Sequence, residues 1–172
     1  NHLVIILYSE QGKGKSTWIR RLLPPQWREY YRNGMVNPDN KDHQLLLSTH
    51  LIINMEEFEG ARIGDLAGLK RVITQESVTE RKAYDMQAYN FIRHASFIAS
   101  TNNRQCLQDI GGNRRFLPSS IITLDYRTPV NYEGIYAQAY ALIKEGYRYW
   151  YEGEEINELN RHNELHRMKD PV

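Results

Sequence analysis

One cysteine, Cys106, is all the chain has, so no internal disulfide braces it and a zinc site would need other ligands. Long hydrophobic runs are missing: no apolar stretch approaches the ~18 residues of a membrane-spanning helix, and no signal-peptide layout is present. This pattern predicts a cytoplasmic protein with no membrane contact. Net charge is missing as well. With 22 Lys and Arg against 21 Asp and Glu the formal charge is +1, so no global basic field holds nucleic acid, and any DNA contact must come from a local cluster. There is no internal repeat, no low-complexity segment and no initiating Met, and an excised piece of a longer protein is expected. What remains is an ordinary globular composition, 41% hydrophobic and 25% charged in 172 residues, enough for one domain with a sizeable core.

The densest information lies between Leu3 and Thr17. An apolar run, Leu3 to Tyr8, opens into a glycine-rich turn that closes on Gly14-Lys15-Ser16. This is the pattern of a phosphate-binding loop. In G-x-x-x-x-G-K-[ST] the backbone N–H groups cradle phosphates, the Lys reaches the β and γ oxygens, and the hydroxyl ligates Mg²⁺. Gln11, Gly12, Lys13, Gly14, Lys15, Ser16 and Thr17 are therefore candidate nucleotide contacts, with Lys15 catalytic and Ser16 on the metal. Ser9 stands where the first Gly of the pattern belongs. The following helix offers its N-terminal N–H groups to an anion.

Along the chain, residues 3 to 8 are predicted as a fully buried strand, and Ser16 to Leu23 as a short helix stopped by Pro24-Pro25. Residues 26 to 44 read as a loop with at most one short helix. A second strand is expected from Thr49 to Met55, ending in Glu56-Glu57. Residues 63 to 75 carry apolar positions at helical spacing, and Ala83 to Phe91 suits a weaker helix. A third strand ends at Ser100, before Thr101-Asn102-Asn103. A loop with Gly111-Gly112-Asn113-Arg114-Arg115 then leads to a strand from Ser120 to Leu124. From Tyr132 to about Met168 the chain is expected to be helical. The fold class this predicts is α/β, with an ATPase core over residues 1–130 and a C-terminal helical extension over 131–172 packed on the same domain.

Hydrolysis of a terminal phosphate needs a carboxylate near the metal and a group that orients the attacking water. Glu56 and Glu57 follow an aliphatic strand, which in an open α/β sheet puts them at the carboxyl edge where ligands bind. Alone, such a pair is more often a solvated acidic turn. Beside a phosphate loop, Glu56 is assigned to the metal and Glu57 to water activation. Asn102, with Asn103 as the alternative, follows another strand, and its amide suits both the γ-phosphate and the lytic water. Arg114 and Arg115 sit in a glycine-flanked loop; either guanidinium suits a transferring phosphoryl group, often in trans, though adjacent loop arginines commonly serve only to solvate. Lys70, Arg71, Arg81 and Lys82 are the densest basic group elsewhere and suit a nucleic-acid backbone, or a charged helix face paired with Glu76 and Glu80. His162 and His166, four apart, do not match H-E-x-x-H. The aromatic group Tyr136, Tyr140, Tyr147, Tyr149, Trp150 and Tyr151 is read as packing more than as a base-stacking platform.

In order, these pieces resemble the virulence-associated E family, whose ATPase domains are similar to superfamily 3 helicases and poxvirus-type primase-helicases. The residues that carry the resemblance are Gln11 to Thr17 running to Leu22-Leu23-Pro24, Met55-Glu56-Glu57, Leu69-Lys70 with Arg81 and Tyr84, Phe97 to Asn102, and Asp109 to Phe116. Tyr136 to Tyr140, Tyr149-Trp150-Tyr151 and Asp170-Pro171 complete it. The resemblance implies a P-loop NTPase with a RecA-like or AAA+-like parallel sheet, the catalytic strands side by side, in a ring-forming ATPase of phage, plasmid or genomic-island replication. It implies ATP and Mg²⁺ as cofactors, single-stranded or forked DNA as partner, Asn102 as the polar sensor, Arg115 ahead of Arg114 as the arginine finger, and Lys70 and Arg81 as nucleic-acid contacts. Glu56 stands where relatives often carry Asp. Two other functions fit a phosphate loop: a small-molecule or nucleoside kinase using Gly111 to Arg115 as a lid, and a nucleotide-binding scaffold that does not hydrolyse.

Overall fold

The computed structural model describes residues 3–58, 63–80, 86–107 and 113–168. Five strands form an all-parallel sheet in the order β2-β3-β6-β1-β7: β1 (Val4–Tyr8), β2 (Tyr31–Asn33), β3 (Ile52–Glu56), β6 (Ser96–Thr101) and β7 (Phe116–Ser120). β1 lies between β6 and β7, and β6 lies between β1 and β3, so the strands that lead to the loop, to Glu56 and to Asn102 are neighbours. Alternate side chains share a face. Val4 and Ile6, Ile53 and Met55, Phe97 and Ala99, and Phe116 accordingly form one buried cluster with Leu69, Val72 and Ile73 of α3 (Ile63–Thr74). Phe58 seals its end, its ring 5.3 Å from that of Phe116. Over β3 and β6 lies α1 (Lys15–Arg20). β1 is not fully buried as expected, because Ile5, on the face opposite Val4 and Ile6, is 40% exposed.

The expected loop at 26 to 44 contains more structure than its composition implies. A 3-10 turn (Pro25–Tyr30), β2 and the start of α2 (Lys41–Thr49) occupy it, and Thr49 ends a helix instead of beginning a strand. The signal for α2 is Asn40, whose Oδ1 accepts from the N–H groups of Asp42 and His43 at 2.9 and 3.3 Å, an N-cap. β5 (Tyr89–Ile92) pairs antiparallel with β4 (Ser77–Glu80), so Tyr89 to Phe91 are strand, not helix; residues 81–85 lie outside the described ones. Partners a dozen residues away outweigh weak helical periodicity there.

β7 runs over Phe116–Ser120, four residues before its expected start at Ser120. Its edge position tolerates Pro118. The expected continuous C-terminal helix is two helices, α4 (Tyr132–Lys144) and α5 (Glu154–Glu164). Gly146 at φ 78° breaks it: the N–H of Tyr147 returns to Leu142 O at 2.9 Å, closing the helix in a left-handed cap. The aromatic residues of this region, read as packing, meet edge to face in the pairs Trp27 with Tyr136 and Tyr149 with Trp150 but stay largely at the surface. Tyr140 and Tyr147 are each 60% exposed and Tyr149 55%. α4 is tied to the body by the Tyr132 and Tyr136 hydroxyls, which donate to Arg21 O and Leu22 O at 2.9 Å, and by the Tyr136 ring against Trp27.

α5 lies against β7. Buried Asn163 donates from Nδ2 to Asn113 O at 2.8 Å and to Phe116 O at 2.9 Å, and a ring nitrogen of His162 meets Pro118 O at 2.8 Å. Asn163→Leu strands two buried carbonyls, so we expect a loss of about 2–3 kcal/mol, read as a lower denaturant midpoint at unchanged slope.

Candidate functional site

β1 ends at Tyr8, and the chain then turns through Ser9 to Gly14 into α1. Gly14 sits at φ 78°, and a Cβ built there would lie 2.4 Å from the Tyr126 ring, so conformation and close packing both demand glycine. The turn folds around Lys15, a residue only 8% exposed. Its ammonium donates to Ser9 O and Ser9 Oγ at 3.0 Å, to Glu10 O at 3.1 Å and to Asn102 Oδ1 at 3.0 Å. A buried cation needs such oxygens. Ser9, at the position where the loop pattern has glycine, supplies two of them.

Parallel register brings the other groups alongside. Tyr8 pairs with Thr101 and Glu56 with Ser100, so the ends of β1, β6 and β3 fall in one row. A cavity of about 300 Å³ there is lined by residues Gln11 to Thr17, Glu56, Glu57 and Ser100 to Asn102. Asn102 and Asn103 take different parts. Asn102 meets Lys15, whereas Asn103 folds into its own turn, donating to Thr101 Oγ1 at 3.0 Å and accepting from Gln105 N–H at 2.9 Å.

Glu57 has φ 52°, the one non-glycine residue with positive φ among those described. A long side chain in the left-handed region is strained, and such strain clusters at functional sites. Glu56 is held from beneath. Fully buried Asn54, two residues back and so on the same face of β3, donates from Nδ2 to Glu56 Oε1 at 3.4 Å and to Asn33 Oδ1 at 3.2 Å. Asn33 Oδ1 also accepts from the Tyr31 hydroxyl at 2.5 Å, and that hydroxyl lies 3.5 Å from Ser16 O. Burial raises the Tyr31 pKa; the hydrogen bond to Asn54 opposes this and the Glu56 charge adds to it. The hydroxyl therefore remains a donor at neutral pH.

Sequence reasoning missed this chain of polar groups. Its one signal is Asn54, an amide within an otherwise aliphatic strand and one pleat repeat before Glu56. Tyr126, against Gly14, was missed too, and no local pattern marks it.

The two arginines are elsewhere. Phe116 pairs with Val4, at the opposite end of β1 from the loop, and Arg114 and Arg115 precede it in a 3-10 turn. Five residues of strand, about 16 Å, separate them from the loop, farther than an arginine side chain reaches. They line a separate cavity of about 410 Å³ with Leu3, Thr74, Ile156 and Tyr149 to Tyr151, where Arg115 Nε is buried without a hydrogen-bond partner among the described residues. Lys70 lies on α3 and does not line the loop cavity, and Arg71 pairs with Asp39 at 3.5 Å instead of a glutamate of its own segment. Arg81, Lys82, Gly111 and Gly112 lie outside the described residues. The His162 and His166 rings lie 4.9 Å apart, tilted by 51°, and each meets a backbone carbonyl, Pro118 O and Arg104 O. No helix among the described residues is long and apolar enough to cross a membrane.

Comparison with solved structures shows the same fold in the apo structure of the NrS-1 C-terminal region (305-718), at TM-score 0.53 and 18% identity, covering 94% of this chain and 42% of that one. The A form apo structure of the NrS-1 C-terminal region also matches, at TM-score 0.47 and 19% identity over 96% of this chain and 35% of that one. This chain thus spans less than half the length of either. No curated protein matches. The model of the virulence-associated protein E-like domain matches residues 2–168, and the chain belongs to that family.

Proposed function

We propose that this domain binds ATP with Mg²⁺ and hydrolyses it, as the motor of a replication-associated, helicase-like protein that acts on single-stranded or forked DNA as a ring-shaped oligomer. The observation that carries the reading is the convergence of Lys15, Glu56, Glu57 and Asn102, from three adjacent parallel strands, on the one cavity that the glycine loop lines. The family assignment and the mutual order of the strands support it.

The donor set fits the cofactors. Backbone N–H groups of the loop and the Lys15 ammonium suit a polyphosphate; the Ser16 hydroxyl and the Glu56 carboxylate are hard oxygen ligands of the kind magnesium takes. When bound, the metal neutralises charge on the phosphates. In this reading Lys15 leaves its carbonyl partners for phosphate oxygens, Asn54 keeps Glu56 aimed at the metal position, Glu57 accepts a proton from water, and Asn102 orients that water. Arg115, or Arg114 beside it, serves the cavity of a neighbouring subunit, since neither reaches its own. The same separation disfavours a nucleoside kinase in which these arginines close over their own loop.

The test is the ATPase rate with and without single-stranded DNA across protein concentration; DNA stimulation and a concentration-dependent specific rate are expected, and a flat response to both refutes the ring-shaped motor. Lys15→Ala should abolish turnover, and turnover unchanged in that variant would remove the loop from the mechanism. We expect Glu57→Gln to bind ATP normally while turnover falls by a factor of ~100 or more. Glu57→Gly should be equally slow without loss of thermal stability, because glycine relieves the left-handed strain. Mixing Arg115→Ala with Lys15→Ala subunits should restore part of the activity, because some interfaces then pair an intact loop with an intact arginine. An assembled mixture that stays inactive would argue for a structural role of Arg115.

A further inference from the structure

His162 and His166 form a spaced pair that the proposed function leaves unused, yet His166 stands beside the site. It is buried, although it follows the end of α5. Its Nδ1 lies 3.1 Å from Arg104 O, and because a carbonyl only accepts, Nδ1 carries the hydrogen and donates it. The ring rests against that of Tyr8, with centroids 5.1 Å apart. The backbone carbonyl of His166 accepts from Leu107 N–H at 3.1 Å, and Met168 N–H returns to Leu107 O at 2.8 Å.

These contacts enclose the short turn that presents Asn102. The turn leaves β6 at Thr101, where Asn103 N–H donates to Thr101 Oγ1 at 3.0 Å and Gln105 N–H donates to Asn103 Oδ1 at 2.9 Å. It closes at Leu107, which bridges to Arg167 beside His166. Between those two anchors lies Arg104 O, two residues past Asn102. On the other side of the imidazole, Tyr8 pairs with Thr101 and directly precedes Ser9, which supplies two oxygens to Lys15. One buried ring thus touches the strand end before the loop and the turn after β6, the two segments whose side chains meet at the Lys15 ammonium.

We propose that His166 is a positioning residue for Asn102, fixing through its hydrogen bond to Arg104 O the turn that aims the Asn102 amide at Lys15 and at the attacking water. Its part in turnover rests on the ATP-hydrolysing reading of the loop cavity. The titratable and charged groups that face the ring are Tyr8 from β1, Arg104 from the turn and His162 from α5 itself. β7 and the turn before it meet α5 through backbone oxygens, those of Asn113, Phe116 and Pro118. Burial, joined by the charges of His162 and Arg104, pushes the His166 pKa below the ordinary imidazole value, and the hydrogen bond to Arg104 O only partly opposes this. The ring is therefore neutral at pH 7. A proton added at Nε2 as pH falls sets a charge against Arg104 and His162 and loosens the turn.

Steady-state ATP hydrolysis, paired with the NMR signal of the Asn102 side-chain amide, tests this. In wild type that signal should move with the titration of the His166 ring, at a midpoint below the ordinary imidazole value, and kcat should fall over the same range. An Asn102 signal indifferent to that titration overturns the proposal. His166→Ala removes the donor and should lower kcat about tenfold, the scale of one hydrogen bond, with KM for ATP unchanged. His166→Asn, whose Nδ2 takes the place of Nδ1, should recover most of kcat and lose the acid limb of the profile. Equal losses in the two variants, or wild-type kcat in a folded His166→Ala, refute the positioning role. Should His166→Ala fail to fold, the wild-type signal and His166→Asn decide. A wild type that hydrolyses no ATP removes the motor reading and with it any part of His166 in turnover, while the Asn102 signal still decides whether His166 holds that amide.

Discussion

The Lys15 ammonium is the constraint around which the carboxyl end of the sheet is arranged. A buried cation costs several kcal/mol unless oxygens surround it. Here two carbonyls and a hydroxyl from its own loop, and an amide oxygen from the end of β6, do so. That demand shapes the loop, which must turn its carbonyls inward. It also ties β1 to β6 beyond their ladder of backbone hydrogen bonds, because the Asn102 contact spans 87 residues of sequence.

Strand order does the rest. Since β6 lies between β1 and β3, a single row of residues at the strand ends collects the loop, the amide and both glutamates without a long excursion of any segment. Beneath that row the sheet carries polar groups as well as aliphatic ones. Tyr31, Asn33 and Asn54 run under the carboxylate of Glu56 and back toward the first turn of α1, so the position of Glu56 depends on a strand, β2, that touches the cavity nowhere.

Much of this was legible in the sequence because it is local. Loop pattern, aliphatic strand and following helix are contiguous, and Glu56 and Asn102 each follow an apolar run directly, so the α/β class and the central strands could be read off. What escaped depends on distant partners. β7 holds a proline because it is an edge strand; β5 is a strand because β4 pairs with it; the exposed aromatics of α4 and the segment after it look like core in composition alone. Asn40 carried a readable N-cap signal for α2 that the surrounding turn-like residues obscured. Tyr126 meets Gly14 across more than a hundred residues, and no spacing rule links them.

Asn54 has a consequence of its own. Its amide is directional: Nδ2 faces two oxygens, while Oδ1 is buried with no partner among the described residues. Rotating the amide by half a turn would set oxygen against oxygen twice over, so one rotamer is locked and the orientation of Glu56 inherits that lock. Isosteric hydrolysis of the amide to aspartate would keep the shape and invert the chemistry, placing two carboxylates side by side. A single atom exchange in the sheet interior would thereby alter the charge presented at its edge.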